Sequence, residues 1–131
     1  MSTIPVVYND RCGGFRLSNV ALSYYNELRV KAGLSTVEYC DDIDRTDPLL
    51  VQVIRELGKE ANHNCSSLVI KEIPLEYATC YKITQYDGLE KIICDPATLI
   101  GEKLSKLDLN SMSDNECREM LSSLIKLIRP L

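Results

Sequence analysis

Cys80-Tyr81-Lys82-Ile83-Thr84-Gln85-Tyr86-Asp87-Gly88-Leu89-Glu90-Lys91-Ile92-Ile93-Cys94 is the stretch that decides the fold class. Cys80, Lys82, Thr84 and Tyr86 alternate with Tyr81, Ile83 and Gln85, the two-residue period of a strand. Asp87-Gly88 supplies a pair that tolerates the positive φ angles of a tight two-residue turn. The spacing therefore predicts a β-hairpin, with Leu89 to Cys94 as its second strand. Upstream, Leu68, Ile70 and Glu72 alternate with Val69, Lys71 and Ile73 before Pro74 interrupts. Ile4-Pro5-Val6-Val7-Tyr8 is a further β-prone run. Pro5 restricts it to a strand start or an edge. Asn9-Asp10 ends it, and Gly13-Gly14 marks a turn with unusual backbone angles.

Helical periodicity fills most of the remainder. Ser18 is a good N-cap for a helix whose face carries Leu17, Ala21, Tyr24 or Tyr25, Leu28 and Ala32. Gly33 stands where a helix-ending glycine belongs. A second helix opens with Asp47 as cap and Pro48 in its first position. Leu50, Val53, Ile54, Leu57 and Ala61 form its apolar stripe. Thr36 to Ile43 reads two ways: Thr36, Val37, Tyr39 and Ile43 suit a short strand, but Asp41, Asp42 and Asp44 do not. Asp95-Pro96 can begin another helix, with Leu99, Ile100, Leu104 and Leu107 on one face and Gly101 weakening it. Ser113 and Glu116 form a capping box for a last helix. Its apolar face is Cys117, Met120, Leu121, Leu124, Ile125 and Ile128, and Pro130 ends it. The expected fold is α+β: a small, mainly antiparallel sheet with helices on one face and a C-terminal helical extension. Residues 1–95 would form the core, and 96–131 an extension packed on it or at a dimer interface.

The 131 residues fit one domain, large enough to stand without a covalent staple. With 45% hydrophobic and 26% charged residues the chain is of globular type. A net charge of −4 argues against nucleic acid as a partner. No apolar run approaches the roughly 20 residues that span a bilayer. No basic segment leads into an apolar one near Met1, so an intracellular setting is expected. Six cysteines, Cys12, Cys40, Cys65, Cys80, Cys94 and Cys117, are expected as thiols, since no pair has Cys-x-x-Cys spacing and the chain can build its own core.

Several groups could carry chemistry. The Asn9 to Ser18 loop lies between a strand and a helix, where glycine backbone amides can cradle phosphate with Arg11 or Arg16 adding charge. It lacks the lysine and spacing of a phosphate loop, and a structural strand-to-helix turn is the favoured reading. Asn9, Arg11, Gly13 and Gly14, with Arg45 and Asp47, are the candidate ligand-binding residues. Cys12 at a helix start could be a nucleophile, but its only histidine partner would be His63, and no catalytic residue is assigned. Asp41, Asp42, Asp44 and Asp47 lack the order of a calcium loop and read as a solvated loop with one cap, so neither a metal nor a cofactor is expected. Tyr24, Tyr25, Tyr77, Tyr81 and Tyr86 could line a surface or sit at the core margin. Met120, Leu121, Leu124 and Ile128 are the candidate interface residues of a homodimer.

Three blocks together resemble a known series. Asn9-Asp10-Arg11-Cys12-Gly13-Gly14-Phe15-Arg16-Leu17-Ser18 resembles an Asn-x-Cys-Tyr-Gly-Gly-Phe-x-Leu-Ser motif. Arg45-Thr46-Asp47-Pro48-Leu49-Leu50-Val51, running on to Glu56-Leu57-Gly58, resembles an Arg-x-Asp-Pro-x-Leu-Val motif ending in Glu-Leu-Gly. Leu68 to Pro74 with Tyr86-Asp87-Gly88-Leu89-Glu90 resembles the third block. The series is that of small uncharacterised proteins of bacteriophages and large DNA viruses, and the match spans residues 4 to 95. Arg11-Cys12 replaces the usual Cys-Tyr, which puts a shared catalytic cysteine in doubt. The resemblance implies a viral origin, with the host cytoplasm, a viral factory or the virion as location, and implies no activity. The lack of a persuasive catalytic constellation and the amphipathic C-terminal tail support a non-enzymatic accessory or structural protein contacting a second copy and a viral or host protein. The alternative is a small-molecule or nucleotide-binding protein, with or without enzyme activity, built on the Asn9 to Ser18 glycine loop with Arg45 and Asp47.

Overall fold

In the computed structural model, which describes residues 2–105 and 113–128, the chain is α+β. Strand β1 (Thr3–Asn9) leads to helix α1 (Asn19–Lys31) and helix α2 (Pro48–Leu57). Strand β2 (Leu68–Pro74), the hairpin strands β3 (Lys82–Tyr86) and β4 (Leu89–Ile93), and helices α3 (Pro96–Ser105) and α4 (Asp114–Ile128) follow. Leu107 and Pro130, expected in or beside these last helices, lie outside the described residues.

The expected sheet is divided into two antiparallel ladders, β1–β2 and β3–β4. The division has a physical cause at the far edge of β1. There the Val7 amide donates to the Arg45 carbonyl at 2.9 Å. The Asn9 amide donates to the Glu90 side chain at 2.8 Å. Pro5, two residues before Val7, has no amide proton to offer on that side. The edge of β1 is thus satisfied by a loop and a carboxylate, and β4 lies beside it without a backbone ladder.

Asp87 and Gly88 take positive φ values of 55 and 86 degrees, the backbone that the hairpin signal requires. Cys80 and Tyr81 are not in β3. Their amides both return to the Tyr77 carbonyl, which winds the chain into a turn and delays the strand to Lys82. Thr36 to Ile43 forms no strand either. The Asn26 side chain takes both backbone groups of Val37, accepting from its amide at 2.7 Å and donating to its carbonyl at 2.9 Å. With that pairing used, Cys40–Asp42 closes into a 3-10 turn.

Val6 and Val7 are both buried although they point to opposite faces of the ladder. Val7 joins α1 and α2 through Ala21, Tyr25, Leu50, Val53 and Ile54. Val6 joins Ile73, Tyr77 and Leu99 of α3. The helices α1 and α2 therefore cover one face, and the first helix of the extension closes the other.

Caps fix the helix starts. Ser18 Oγ accepts from the Ala21 amide at 3.1 Å and donates to the Glu60 carbonyl at 2.7 Å, tying α1 to the turn after α2. Asp47 Oδ1 accepts from the Leu49 amide at 2.9 Å, and its other oxygen accepts from the Tyr25 hydroxyl. Burial, followed by that bond, pushes the Tyr25 phenol up from 10.0 to about 12. The neutral phenol is therefore the form that folding favours. Its contribution, roughly 2 kcal/mol, is present below pH 10 and is lost as pH rises towards 12. Chemical denaturation as a function of pH is expected to show stability falling through that window. Tyr25→Phe is expected to be less stable at pH 7 by about 1 kcal/mol and to lose part of the alkaline slope. Burial raises Tyr77 and Tyr81 as well, so part of the slope persists in that variant.

Candidate functional site

The glycine loop, the segment before α2 and the hairpin meet at the end of β1. Glu90, on β4, is buried with its side chain 8% exposed. Its Oε1 accepts from Arg45 Nη1 at 2.7 Å and its Oε2 from Arg45 Nη2 at 2.9 Å, a two-pronged ion pair. Oε1 also accepts the Asn9 amide. The Arg45 guanidinium lies over the Phe15 ring, 3.5 Å from its centre. Ring and carboxylate together replace the water that the cation gives up. One charge pair thus joins the glycine loop, the segment before α2 and the hairpin.

Asn9 completes the junction. Its side chain is buried and uses its whole amide group. Oδ1 accepts from the Ser67 amide at 2.8 Å, while Nδ2 donates to the Gly88 carbonyl at 2.8 Å and to the Arg11 carbonyl. The Gly13 amide donates to the Asp87 carbonyl at 3.0 Å. The glycine loop and the hairpin turn touch backbone to backbone. A Cβ on Gly88 would lie 2.2 Å from the Gly14 nitrogen, and a Cβ on Gly13 would lie 2.4 Å from the Cys65 carbonyl oxygen. Two glycines are needed here because two turns share the space of one. The Gly13 amide that could have held a phosphate is spent on the hairpin.

The candidate ligand-binding residues are therefore partly gathered and partly dispersed. Asn9, Gly13, Gly14 and Arg45 meet at the junction, where their polar groups face one another. Arg11 is exposed and contributes its carbonyl. Asp47 caps α2 and holds Tyr25. Asp44, from the acidic run, accepts from the Thr46 amide and hydroxyl, both at 2.9 Å. Among the described residues no group of three or more His, Cys, Asp or Glu is placed to hold a metal ion. Of the tyrosines, Tyr25 and Tyr77 are buried and Tyr86 is exposed. On α4, Met120 is half-buried and Leu121 is exposed. The side chains of Leu124 and Ile128 lie outside the described residues.

Cys12 is exposed in its turn and does not line the cavity that His63 walls. That cavity, of about 320 Å³, is walled by Phe15, Arg16, Leu17, Tyr39, Cys40 and His63 among others. Cys40 Sγ accepts from the Leu17 amide at 3.5 Å. His63 buries its Nδ1 without a hydrogen-bond partner, a costly state for an imidazole nitrogen. The cavity mixes cationic Arg16 with the carboxylates of Glu38 and Asp41.

Sequence reasoning missed Glu90 as the partner of Arg45, Phe15 as its platform, and the Cys40–His63 cavity. A signal for the first existed. A carboxylate in a hairpin strand facing the core needs a cation. Nothing in the local pattern places Cys40 near His63.

Because backbone occupies the space beside Gly88, Gly88→Ala is expected to cost more than about 2 kcal/mol, adding the strain of a positive φ to a clash. Gly14→Ala meets open space and should cost less. Asn9→Ala leaves the Ser67 amide and two carbonyls unsatisfied and is expected to cost about 3 kcal/mol. Urea denaturation of the three variants checks that order. No protein-family model matches the chain, and no curated protein or solved structure matches it.

Proposed function

We propose that this chain is a non-enzymatic accessory or structural protein that works through protein contacts, as a homodimer joined by α4. The observation that carries the reading is an apolar stripe left open to solvent. Leu121 is 59% and Ile125 48% exposed on α4, and Leu104 is 49% exposed on α3, the principal neighbour of α4. Apolar side chains at three- and four-residue spacing form one face of a helix that finds no core of its own. A second copy suits this face because its charges run in opposite senses. Asp114, Glu116 and Glu119 outweigh Arg118 in the first half of α4, and Lys126 follows in the second. An antiparallel pairing across a two-fold axis sets the acidic half of each helix against the basic half of its mate. The inward use of Asn9, Arg45 and Glu90 supports a role without bond-making chemistry. The motif resemblance supports a viral setting.

Light scattering at micromolar concentration is expected to give the mass of a dimer. Leu121→Asp with Ile125→Asp is expected to weaken association more than a hundredfold, since each side chain buried at an interface contributes about 1.5–3 kcal/mol. Both residues are exposed in the single chain, so the thermal stability of the core should be unchanged. A wild-type monomer at that concentration contradicts the proposal.

The cavity favours a second reading, a small-molecule-binding protein. The supporting observation is the unpartnered His63 Nδ1 in its wall. A thermal-shift screen of nucleotides and phosphorylated metabolites tests it. On this reading a ligand raises the melting temperature of the wild type and not that of Arg16→Ala or His63→Ala. No shift with any compound counts against it.

A further inference from the structure

The β1–β2 register ends with Asn9 opposite Leu68. The chain alignment continues beyond it, because the Asp10 amide donates to the Ser67 carbonyl at 2.8 Å. Continued two residues further, the same alignment sets Cys12 opposite Cys65. The two turns do touch there, through the neighbour of Cys12. A Cβ placed on Gly13, the neighbour of Cys12, would lie 2.8 Å from Cys65 Cβ. Consecutive Cα atoms are about 3.8 Å apart, so the Cys12 backbone is held one residue-step from the Cys65 side chain. A disulfide asks for Cα atoms roughly 4.4–6.8 Å apart. Both cysteines are exposed, which distinguishes them from the other four, all half-buried.

We propose that Cys12 and Cys65 form a reversible disulfide by exchange with a small-molecule disulfide of the glutathione class. One of the two thiols, as thiolate, attacks a sulfur of the small disulfide. That S–S bond breaks and one small thiolate departs. The other cysteine, also as thiolate, then attacks the protein sulfur of the mixed disulfide and releases the second small thiolate. The protons given up by Cys12 and Cys65 end on the two released thiols. The protein loses two electrons and the small disulfide gains them. Access decides which thiols react first, and burial raises the Cys94 thiol, which withholds its thiolate.

The bond would staple the glycine turn to the turn that precedes β2. The hairpin is seated on that same turn through Gly13 and Asp87. Oxidation would therefore add a covalent tie beneath a seat that the free-thiol form holds by hydrogen bonds alone. The closed loop is long, so the link restricts the unfolded chain strongly and is expected to raise the melting temperature by several degrees.

The test is equilibration of the full chain with oxidised and reduced glutathione, an alkylating quench, and peptide mapping by mass spectrometry. The expected product has lost two hydrogens, resists alkylation at two cysteines, and yields a Cys12–Cys65 linked peptide with a raised melting temperature. Cys12→Ser and Cys65→Ser should each abolish the link and leave a glutathione adduct on the remaining partner. Adducts at both cysteines of the wild type without a link would overturn the proposal. So would a disulfide mapped to another pair, such as Cys80 with Cys94, or no oxidation across the redox range. Mapping of the wild type decides the matter even if one serine variant folds poorly.

Discussion

A carboxylate withdrawn from water must find compensation inside the protein, and at Glu90 that compensation comes from three separate parts of the chain. Arg45 supplies two charged hydrogen bonds, the Asn9 amide a third, and Phe15 a ring beneath the guanidinium. A buried ion pair of this kind need not be more stabilising than a well-packed apolar contact. Its consequence is directional. The observed placement of the hairpin against β1 pairs both Glu90 oxygens with Arg45 and one of them with the Asn9 amide, so the pair ties the two ladders together. The glycine loop and the Asp87-Gly88 turn can then approach to backbone contact because the junction beside them is already set.

The same constraint bears on function. Residues that would be attractive as a binding site, an asparagine, two glycines and an arginine in a loop before a helix, are consumed in joining elements. The polar groups face inward and satisfy one another. Apolar surface is left over instead at the far end of the chain, where α4 presents Leu121 and Ile125 outward. Internal polar satisfaction at the junction and open apolar surface on α4 are the two observations on which the proposed contact-making role rests. Among the described residues, the buried side-chain nitrogen left without a partner, His63 Nδ1, lies elsewhere, in the wall of a cavity.

Local signals in the sequence carry most of the secondary structure. The two-residue turn at Asp87-Gly88, the Ser18 cap and the Asp47-Pro48 start are each determined by residues within one turn of themselves, and each stands where its pattern puts it. Segments whose backbone is claimed from a distance are not legible in that way. Val37 looks extended, but the Asn26 side chain takes its amide and carbonyl. Cys80 and Tyr81 continue a strand alternation, yet their amides are held by Tyr77. Division of the sheet depends on a carboxylate from β4 meeting the edge of β1, a contact across 81 residues. The motif blocks contained both Arg45 and Glu90. What they could not show is that the two residues face each other, because that needs the fold.

A double-mutant cycle on Arg45 and Glu90, read by chemical denaturation, tests the account most directly. Arg45→Met and Glu90→Leu are each expected to cost about 3–5 kcal/mol, because each strands a buried charge. The double variant, in which both charges leave together, is expected to recover at least about 2 kcal/mol of the summed loss. Additive losses of less than about 1 kcal/mol each, the behaviour of an exposed pair, would contradict the account.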